Sequence, residues 1–123
     1  MRAPLALLLA LAFVALAGCG GGDNSGGKSP ASASSCPKDA VVIKMKDIQF
    51  DPETATAGVG QQICWTNEDS IDHDAVADSG ATFKSELFGK GQTFTATVDK
   101  PGTVKYECTI HPGMKGEITV ERR

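Results

Sequence analysis

Three side chains that bind soft metals lie within seven positions near the C-terminus of the chain. Cys108, His111 and Met114 follow one another at intervals of three residues and offer a thiolate, an imidazole and a thioether. Two histidines and one cysteine around a metal, with a methionine on a long axial bond, form the ligand set of a copper site. The chain has two histidines in all, and the other one is His73. The sequence therefore predicts one copper ion bound by His73, Cys108, His111 and Met114.

The same residues argue against zinc and against catalysis. A thioether is a poor ligand for zinc, so Met114 would have no role in a zinc site. A copper ion whose four positions are filled by protein side chains has no open position for a substrate. Cys108 and His111 also lack a second acid that could orient the imidazole, as a thiol enzyme would need. We therefore expect a protein that is not an enzyme.

An immunoglobulin-like binding module is the competing interpretation of Tyr106 and Cys108. Such sandwiches carry a tyrosine two residues before a buried cysteine, with a tryptophan packed against a disulfide that joins the sheets. In this chain Trp65 directly follows Cys64, whereas in those domains the tryptophan lies many residues later on another strand. A disulfide between Cys64 and Cys108 would also leave the metal-binding spacing unexplained.

Short runs of β-forming residues, separated by turn signals, surround the candidate ligands. In residues 40–46 and 92–98 apolar side chains alternate with others, and this period of two is typical of strands with one face on a core. We find no long helical period and no internal repeat in the sequence. The pattern predicts an all-β sandwich or barrel, with strands at residues 40–46, 61–67, 73–78, 92–98, 103–108 and 116–121.

The N-terminus is predicted to be a lipoprotein signal peptide. An arginine at position 2 precedes an apolar run that is too short to span a membrane, and the run ends in Leu-Ala-Gly-Cys. This ending is typical of bacterial lipoproteins, in which residues 1–18 would be removed and Cys19 would be acylated. The protein would then lie outside the cytoplasm, in the cell envelope or periplasm, with a lipid anchor in the membrane. An ordinary secreted protein is the alternative.

The rest of the chain divides into a linker and one domain. Residues 19–35 are rich in glycine and serine and lack side chains that could build a core, so they predict a disordered tether behind the acylated cysteine. Residues 36–123 hold all the predicted strands and are long enough for a single small domain.

The charge pattern bears on the choice of partner. The formal net charge is −3, which argues against nucleic acid because phosphate binding needs basic patches. Acidic residues are concentrated between positions 68 and 78, either as a solvated loop or as an electrostatic guide for a basic redox partner. These acids are Glu68, Asp69, Asp72, Asp74 and Asp78.

Cys36 and Cys64 remain once the lipid and copper sites are assigned. In an oxidising compartment an even pair suggests a disulfide, and two free thiols are the alternative. Cys64 lies between Ile63 and Trp65, so it points away from a core that these two residues face. Cys36 opens the domain just before the first predicted strand, where the two sulfurs could meet.

The ligand-bearing segments resemble the small blue copper proteins, the plastocyanin and amicyanin branch of the cupredoxins. The spacing of Cys108, His111 and Met114 is similar to the short ligand loop of amicyanin. The likeness runs from Cys36 to Arg123 and includes three further stretches, which are Ile48-x-Phe50-x-Pro52, Gly60 to Trp65-x-Asn67, and Asp99-Lys100-Pro101-Gly102-Thr103.

This resemblance implies a monomeric Greek-key β-sandwich that carries single electrons between redox proteins, such as a cytochrome or a copper or quinol oxidoreductase. It assigns copper to the four residues named above and implies that electrons pass through His111. The family usually has asparagine after the first histidine, whereas this chain has Asp74, which could accept a hydrogen bond from Thr109. A copper-binding protein for delivery, storage or sensing would use the same ligands and is the alternative function.

Overall fold

A computed structural model describes residues 35–123, so the predictions on the signal peptide, on Cys19 and on linker residues 20–34 lie outside the described range. The described part contains no helix long and apolar enough to cross a membrane. It is built of strands β1 (Val41–Lys46), β2 (Gln49–Asp51), β3 (Thr54–Gly58), β4 (Gln62–Asn67), β5 (Val76–Ser79), β6 (Thr93–Thr97), β7 (Gly102–Glu107) and β8 (Lys115–Glu121).

The strands form two four-stranded sheets. One sheet has the order β2-β1-β4-β6, and the other has the order β3-β8-β7-β5. The pairs β1–β4 and β3–β8 are parallel and join strands that are distant in the chain, while the remaining pairs are antiparallel. This confirms the predicted all-β, Greek-key sandwich with a single domain.

An aromatic core lies between the sheets. Trp65 on β4 packs edge-on against Tyr106 on β7, with ring centroids 5.4 Å apart, and stacks on Phe94 of β6 at 5.5 Å. The rings of Phe50 and Tyr106 also meet edge-on, with centroids 4.6 Å apart. Burying side chains of this size contributes about 1.5–3 kcal/mol each. The core therefore supports both β4 and β7, the strands from which the two ligand-bearing loops leave.

All six predicted strands are present, with ends that differ by up to three residues, but the sequence did not indicate β2 or β3. β3 is built largely of alanine and threonine, and its small side chains give a weak apolar pattern. The strand predicted at residues 73–78 begins only at Val76. His73 forms an isolated β-bridge with Phe88 instead of joining the sheet.

The turn between β1 and β2 has an unusual backbone. Its two residues, Asp47 and Ile48, have φ angles of 54° and 58°, while Lys46 and Gln49 pair across the hairpin. Two-residue hairpin turns of type I′ require φ above zero at both positions, which favours glycine and asparagine. A β-branched residue is an outlier in this region of backbone space, so other contacts must hold Ile48 there.

Candidate metal centre

The backbone of His73 is fixed by a pair of hydrogen bonds, one from its N–H and one to its carbonyl. His73 lies in the loop between β4 and β5, residues 68–75, which is one residue longer than the loop of the other ligands and is called the long loop below. Its N–H donates to the carbonyl of Phe88 at 3.1 Å, and its carbonyl accepts from the N–H of Phe88 at 2.9 Å. Its side chain has no solvent exposure. The imidazole is thus held inside one end of the sandwich.

The other three predicted ligands lie in the loop between β7 and β8, residues 108–114, called the short loop below. Cys108 directly follows β7 and Met114 directly precedes β8. The N–H of Cys108 donates to the carbonyl of Met114 at 2.9 Å, and the N–H of Met114 donates to the carbonyl of His111 at 3.1 Å. Gly113 has a φ of 88°, a conformation that glycine adopts without steric cost. These features close the loop on itself.

The ligand atoms of His73, Cys108 and His111 converge on one point. The two Nδ1 atoms are 3.0 Å apart, and the Cys108 Sγ lies 3.8 Å from Nδ1 of His73 and 3.4 Å from Nδ1 of His111. Zinc, a neighbour of copper in the first transition row, binds nitrogen at about 2.0–2.1 Å and sulfur at about 2.3 Å, so donors on one ion lie within about 4.4 Å. All three separations fit a single ion of this size.

Burial separates one ligand from the others. His73 is fully buried and Cys108 and Met114 are each 3% exposed, whereas His111 is half-buried at the surface. Burial raises the pKa of the Cys108 thiol, and backbone N–H groups of Asp74 and Ile110 offset this effect only partly. A buried thiolate needs a compensating cation, and a metal ion supplies one.

Asp74 connects the two loops. Its Oδ1 accepts a hydrogen bond from the N–H of Thr109 at 2.6 Å, and its Oδ2 accepts one from the Thr109 hydroxyl. Asp74 follows His73 in the long loop, while Thr109 follows Cys108 in the short loop. The structure therefore brings together the pair that the sequence predicted beside the ligands.

Asp69 is a site residue that the sequence did not single out. Its Oδ2 lies 2.8 Å from Nε2 of His73, the ring nitrogen that faces away from the metal position. Burial raises the pKa of Asp69, but hydrogen bonds from the N–H groups of Ile48 and Asp47 and from His73 outweigh it and hold the pKa below its ordinary value. The spacing of four residues from His73 was the only sequence signal.

Asn67 organises the start of the long loop. Its buried side chain donates to the carbonyls of Ile71 at 2.8 Å and Phe88 at 2.9 Å, and its Oδ1 accepts from the N–H of Asp69 at 2.8 Å. A buried amide with three such bonds fixes the loop on both sides of His73. Sequence reasoning placed Asn67 only within a strand of the resemblance.

The acids of residues 68–78 do not act as one group. Asp69 and Asp74 are turned into the site, where each accepts hydrogen bonds. Glu68, Asp72 and Asp78 are exposed. Only these three remain available for the electrostatic guide that the sequence suggested, and Glu68 lies 3.6 Å from the amino group of Lys44.

The two remaining cysteines of the described range are joined. Cys36 and Cys64 form a disulfide with their Cα atoms 5.7 Å apart, and Cys108 is the free cysteine of residues 35–123. Cys64 is fully buried although it lies on the side of β4 opposite Ile63 and Trp65, the two core residues that flank it. The bond ties the first residues of the domain to a central strand.

A β-sandwich that gathers two imidazoles and a thiol, with a buried methionine in the same short loop as the thiol, defines the cupredoxin class of copper proteins. A family profile described as copper binding proteins of the plastocyanin/azurin family matches residues 37–121. The chain belongs to this family. The resemblance stated from the sequence is confirmed, and so is the prediction of one bound copper.

Named relatives and solved structures agree with this assignment. The chain is 29% identical to amicyanin of Paracoccus versutus over 98 residues, which cover 76% of this chain and 74% of that protein. It is 30% identical to amicyanin-alpha of Methylorubrum extorquens over 89 residues, covering 69% and 75% respectively. An oxidised variant of amicyanin superposes with a TM-score of 0.68 at 25% identity, covering 77% of this chain and 94% of the other. Family membership also confirms an electron carrier rather than an enzyme.

Proposed function

We propose that this protein is a blue copper carrier tethered by lipidated Cys19 to the outer face of a bacterial membrane. There it would exchange single electrons with redox proteins through His111, acting as a monomer. The partner would be a cytochrome or a copper or quinol oxidoreductase. The unequal exposure of the ligands is the observation that carries this proposal.

His111 is the ligand that reaches the surface. The other three side chains are buried, so a partner can approach the metal most closely along the His111 imidazole. Ile110, which directly precedes His111, is 46% exposed, and Ile71 on the long loop is 41% exposed. Exposed apolar side chains on the ligand-bearing loops favour a brief, weakly polar contact with a redox partner.

The chain's own residues are arranged to hold the ligands still. When bound, copper would supply a one-electron couple at His73, Cys108, His111 and Met114. The backbone bonds of His73 and of the short loop restrict the movement of the ligands. A ligand set that moves little between the two oxidation states needs little reorganisation, and electron exchange is then fast.

Burial of the ligands also bears on the alternative of copper delivery, storage or sensing. A protein that hands over its metal must expose several ligands to an acceptor, whereas here only His111 is partly accessible. Stopped-flow mixing of the reduced protein with an oxidised c-type cytochrome would give the rate of electron transfer. A parallel experiment with a copper chelator would give the rate of metal loss.

We expect the purified protein with one equivalent of Cu(II) to become intensely blue or green, and to reduce or oxidise the cytochrome far faster than the chelator removes copper. Metal loss that outpaces electron transfer would favour delivery or storage. A colourless protein that prefers zinc would contradict the copper function itself.

The tether is tested separately from the redox centre. Cys19 and the glycine- and serine-rich linker support attachment to a membrane, since they match a lipoprotein signal followed by a flexible segment. Cys19→Ser should move the protein from the membrane fraction to the soluble fraction and leave the visible spectrum unchanged. Wild-type protein that is soluble and carries no acyl group by mass spectrometry would refute the anchor.

A further inference from the structure

The carboxylate of Asp69 accepts three hydrogen bonds from two separate parts of the molecule. Its Oδ1 accepts from the N–H of Asp47 at 2.8 Å, and its Oδ2 accepts from the N–H of Ile48 at 3.0 Å. The same Oδ2 lies 2.8 Å from Nε2 of His73. One side chain thus joins the β1–β2 turn to the most deeply buried copper ligand.

We propose that Asp69 is a positioning residue that presets His73 for copper and couples the β1–β2 turn to the metal centre. The inference deepens the proposed function, because it rests on the copper site, but it does not depend on which partner exchanges electrons. Asp69 would not touch the metal and would act through the imidazole of His73.

The contact with Asp69 selects one form of the His73 ring. A carboxylate oxygen can only accept, so Nε2 of His73 must carry the proton in this contact. In the neutral ring Nδ1 is then unprotonated, and Nδ1 is the atom that faces Cys108 and His111. Carboxylates that hold the outer nitrogen of a ligating histidine fix its tautomer and orientation and raise its basicity as a ligand.

The turn gives the carboxylate a fixed position. Asp47 and Ile48 both have positive φ angles, and neither is a glycine. Their adjacent N–H groups point at one carboxylate, and this pair of bonds offsets part of the cost of the turn. Because the turn holds Asp69 from one side and His73 holds it from the other, movement of the turn would reach the ligand through one residue.

Two simpler roles must be separated from positioning. Asp69 could act only as a negative charge near the metal, or only as a support for the turn. If Asp69 acted only through its negative charge, Asp69→Ala and Asp69→Asn would lose the same copper affinity, since both remove the charge. The asparagine can still accept the bond from Nε2 of His73, although it loses one of the acceptor oxygens. A support for the turn would affect folding without changing the His73 ring.

The test compares copper affinity and the state of the His73 ring in four full-length proteins. These are the wild type, Asp69→Ala, Asp69→Asn and the control Asp72→Ala, which removes an exposed carboxylate from the same loop. Copper affinity is measured by competition with a chelator. The tautomer of His73 is measured by nitrogen-15 NMR on the metal-free protein.

We expect Asp69→Ala to bind copper about 10–100-fold more weakly than the wild type, as removal of such supporting residues does in other metal sites. Asp69→Asn should lose less affinity than Asp69→Ala, and Asp72→Ala should stay close to the wild type. The NMR spectrum should show His73 protonated only at Nε2 in the wild type and a mixture of both tautomers in Asp69→Ala. Equal losses in Asp69→Ala and Asp69→Asn would reduce the role to charge and overturn the proposal.

The role of the turn is isolated with Ile48→Gly, which removes the strain of a β-branched residue at positive φ. If Asp69 only supports the turn, Asp69→Ala in the Ile48→Gly background should regain wild-type copper affinity. We expect the affinity loss to persist in that background. An Asp69→Ala protein with the wild-type tautomer and affinity would also overturn the inference, even if its stability fell.

These results are distinguishable from failure of the proposed function. If the wild type binds no copper, the copper function fails, while the tautomer of His73 in the metal-free proteins still decides the role of Asp69. If the wild type binds copper and Asp69→Ala matches Asp72→Ala, only the positioning role fails.

Discussion

The two loops that supply the copper ligands are held in different ways. The short loop carries Cys108, His111 and Met114 and is closed by its own backbone hydrogen bonds between strands that are neighbours in sequence and in space. The long loop carries His73 alone and depends on distant segments, because its backbone bonds to Phe88 and the side chains of Asn67, Asp69 and Asp74 bond far along the chain.

This difference explains why one half of the site is encoded locally and the other is not. In the short loop, the spacing of three ligands and a turn is enough to gather them, since a hairpin returns the chain to its start. In the long loop, the position of His73 follows from contacts with residues up to 35 positions away. The long loop is therefore where single substitutions should tune the site without removing it.

The largest effect should come from the short loop. Cys108→Ser removes the thiolate that binds copper, and the copper-loaded protein should lose its intense visible absorption completely. Met114→Leu is the matched control in the same loop, since it keeps the volume and the other three ligands and should keep a strong visible band. Visible spectroscopy after addition of one equivalent of Cu(II) decides the comparison, and a coloured serine variant would contradict it.

The next largest effect should come from the disulfide on β4, the strand that leads into the long loop. Cys64 lies on β4 and is joined to Cys36, closing a separation of 28 residues. In the chain-entropy view a closed loop of this length stabilises the fold by about 3–4 kcal/mol. The free energy of unfolding of the double variant Cys36→Ser, Cys64→Ser, measured by chemical denaturation, should be lower by that amount. The variant should still turn blue with Cu(II), because its copper ligands are unchanged.

The disulfide itself is checked by thiol labelling of the folded, copper-loaded wild type. We expect no label on Cys36 or Cys64 until a reductant is added. Quantitative labelling of both residues in the native protein would show two free thiols, and the stability difference of the double serine variant would then need another cause.

Much of this fold and site follows from the sequence, for reasons tied to particular residues. The ligand spacing in the short loop and the period-two pattern of β1 and β6 depend on neighbours, so they can be recognised locally. Asp69 could not be assigned in this way, because its partners Asp47 and Ile48 are more than 20 positions away and look like ordinary turn residues. β3 was missed for a different reason, because its small alanine and threonine side chains give a weak apolar pattern.

A smaller effect is expected from the link between the loops. Asp74 is 6% exposed and accepts two hydrogen bonds from Thr109. Each of the two residues directly follows a copper ligand in the chain. A negative charge beside the metal favours Cu(II) over Cu(I) and lowers the reduction potential. Asp74→Asn keeps the shape, and its oxygen can still accept from the Thr109 N–H, so it removes the charge with little change in the link.

We therefore expect Asp74→Asn to raise the reduction potential. A unit charge about 7 Å from the metal contributes about 0.6–2.4 kcal/mol at effective dielectric constants of about 80 to 20. For one electron this corresponds to about 25–100 mV. Protein-film voltammetry measures the shift, with Asp72→Asn as a control for an exposed charge in the same loop. A potential that is unchanged or lower in the Asp74 variant would contradict the electrostatic role.

The smallest effect should separate the strain of the short loop from its function. Gly113 has a φ of 88° and no heavy atom within 4 Å of the position that a Cβ would take, so Gly113→Ala adds backbone strain without a clash. The cost should be about 1–2 kcal/mol of unfolding free energy. Gly60→Ala is a matched control, since Gly60 has a φ of 85° and similar open space in the turn before β4.

Because backbone hydrogen bonds already close the short loop, we expect both variants to lose the same stability with and without copper. Chemical denaturation and chelator competition measure the two quantities, and a fall in copper affinity confined to Gly113→Ala would mean that the short loop is shaped by the metal and not by its own hydrogen bonds.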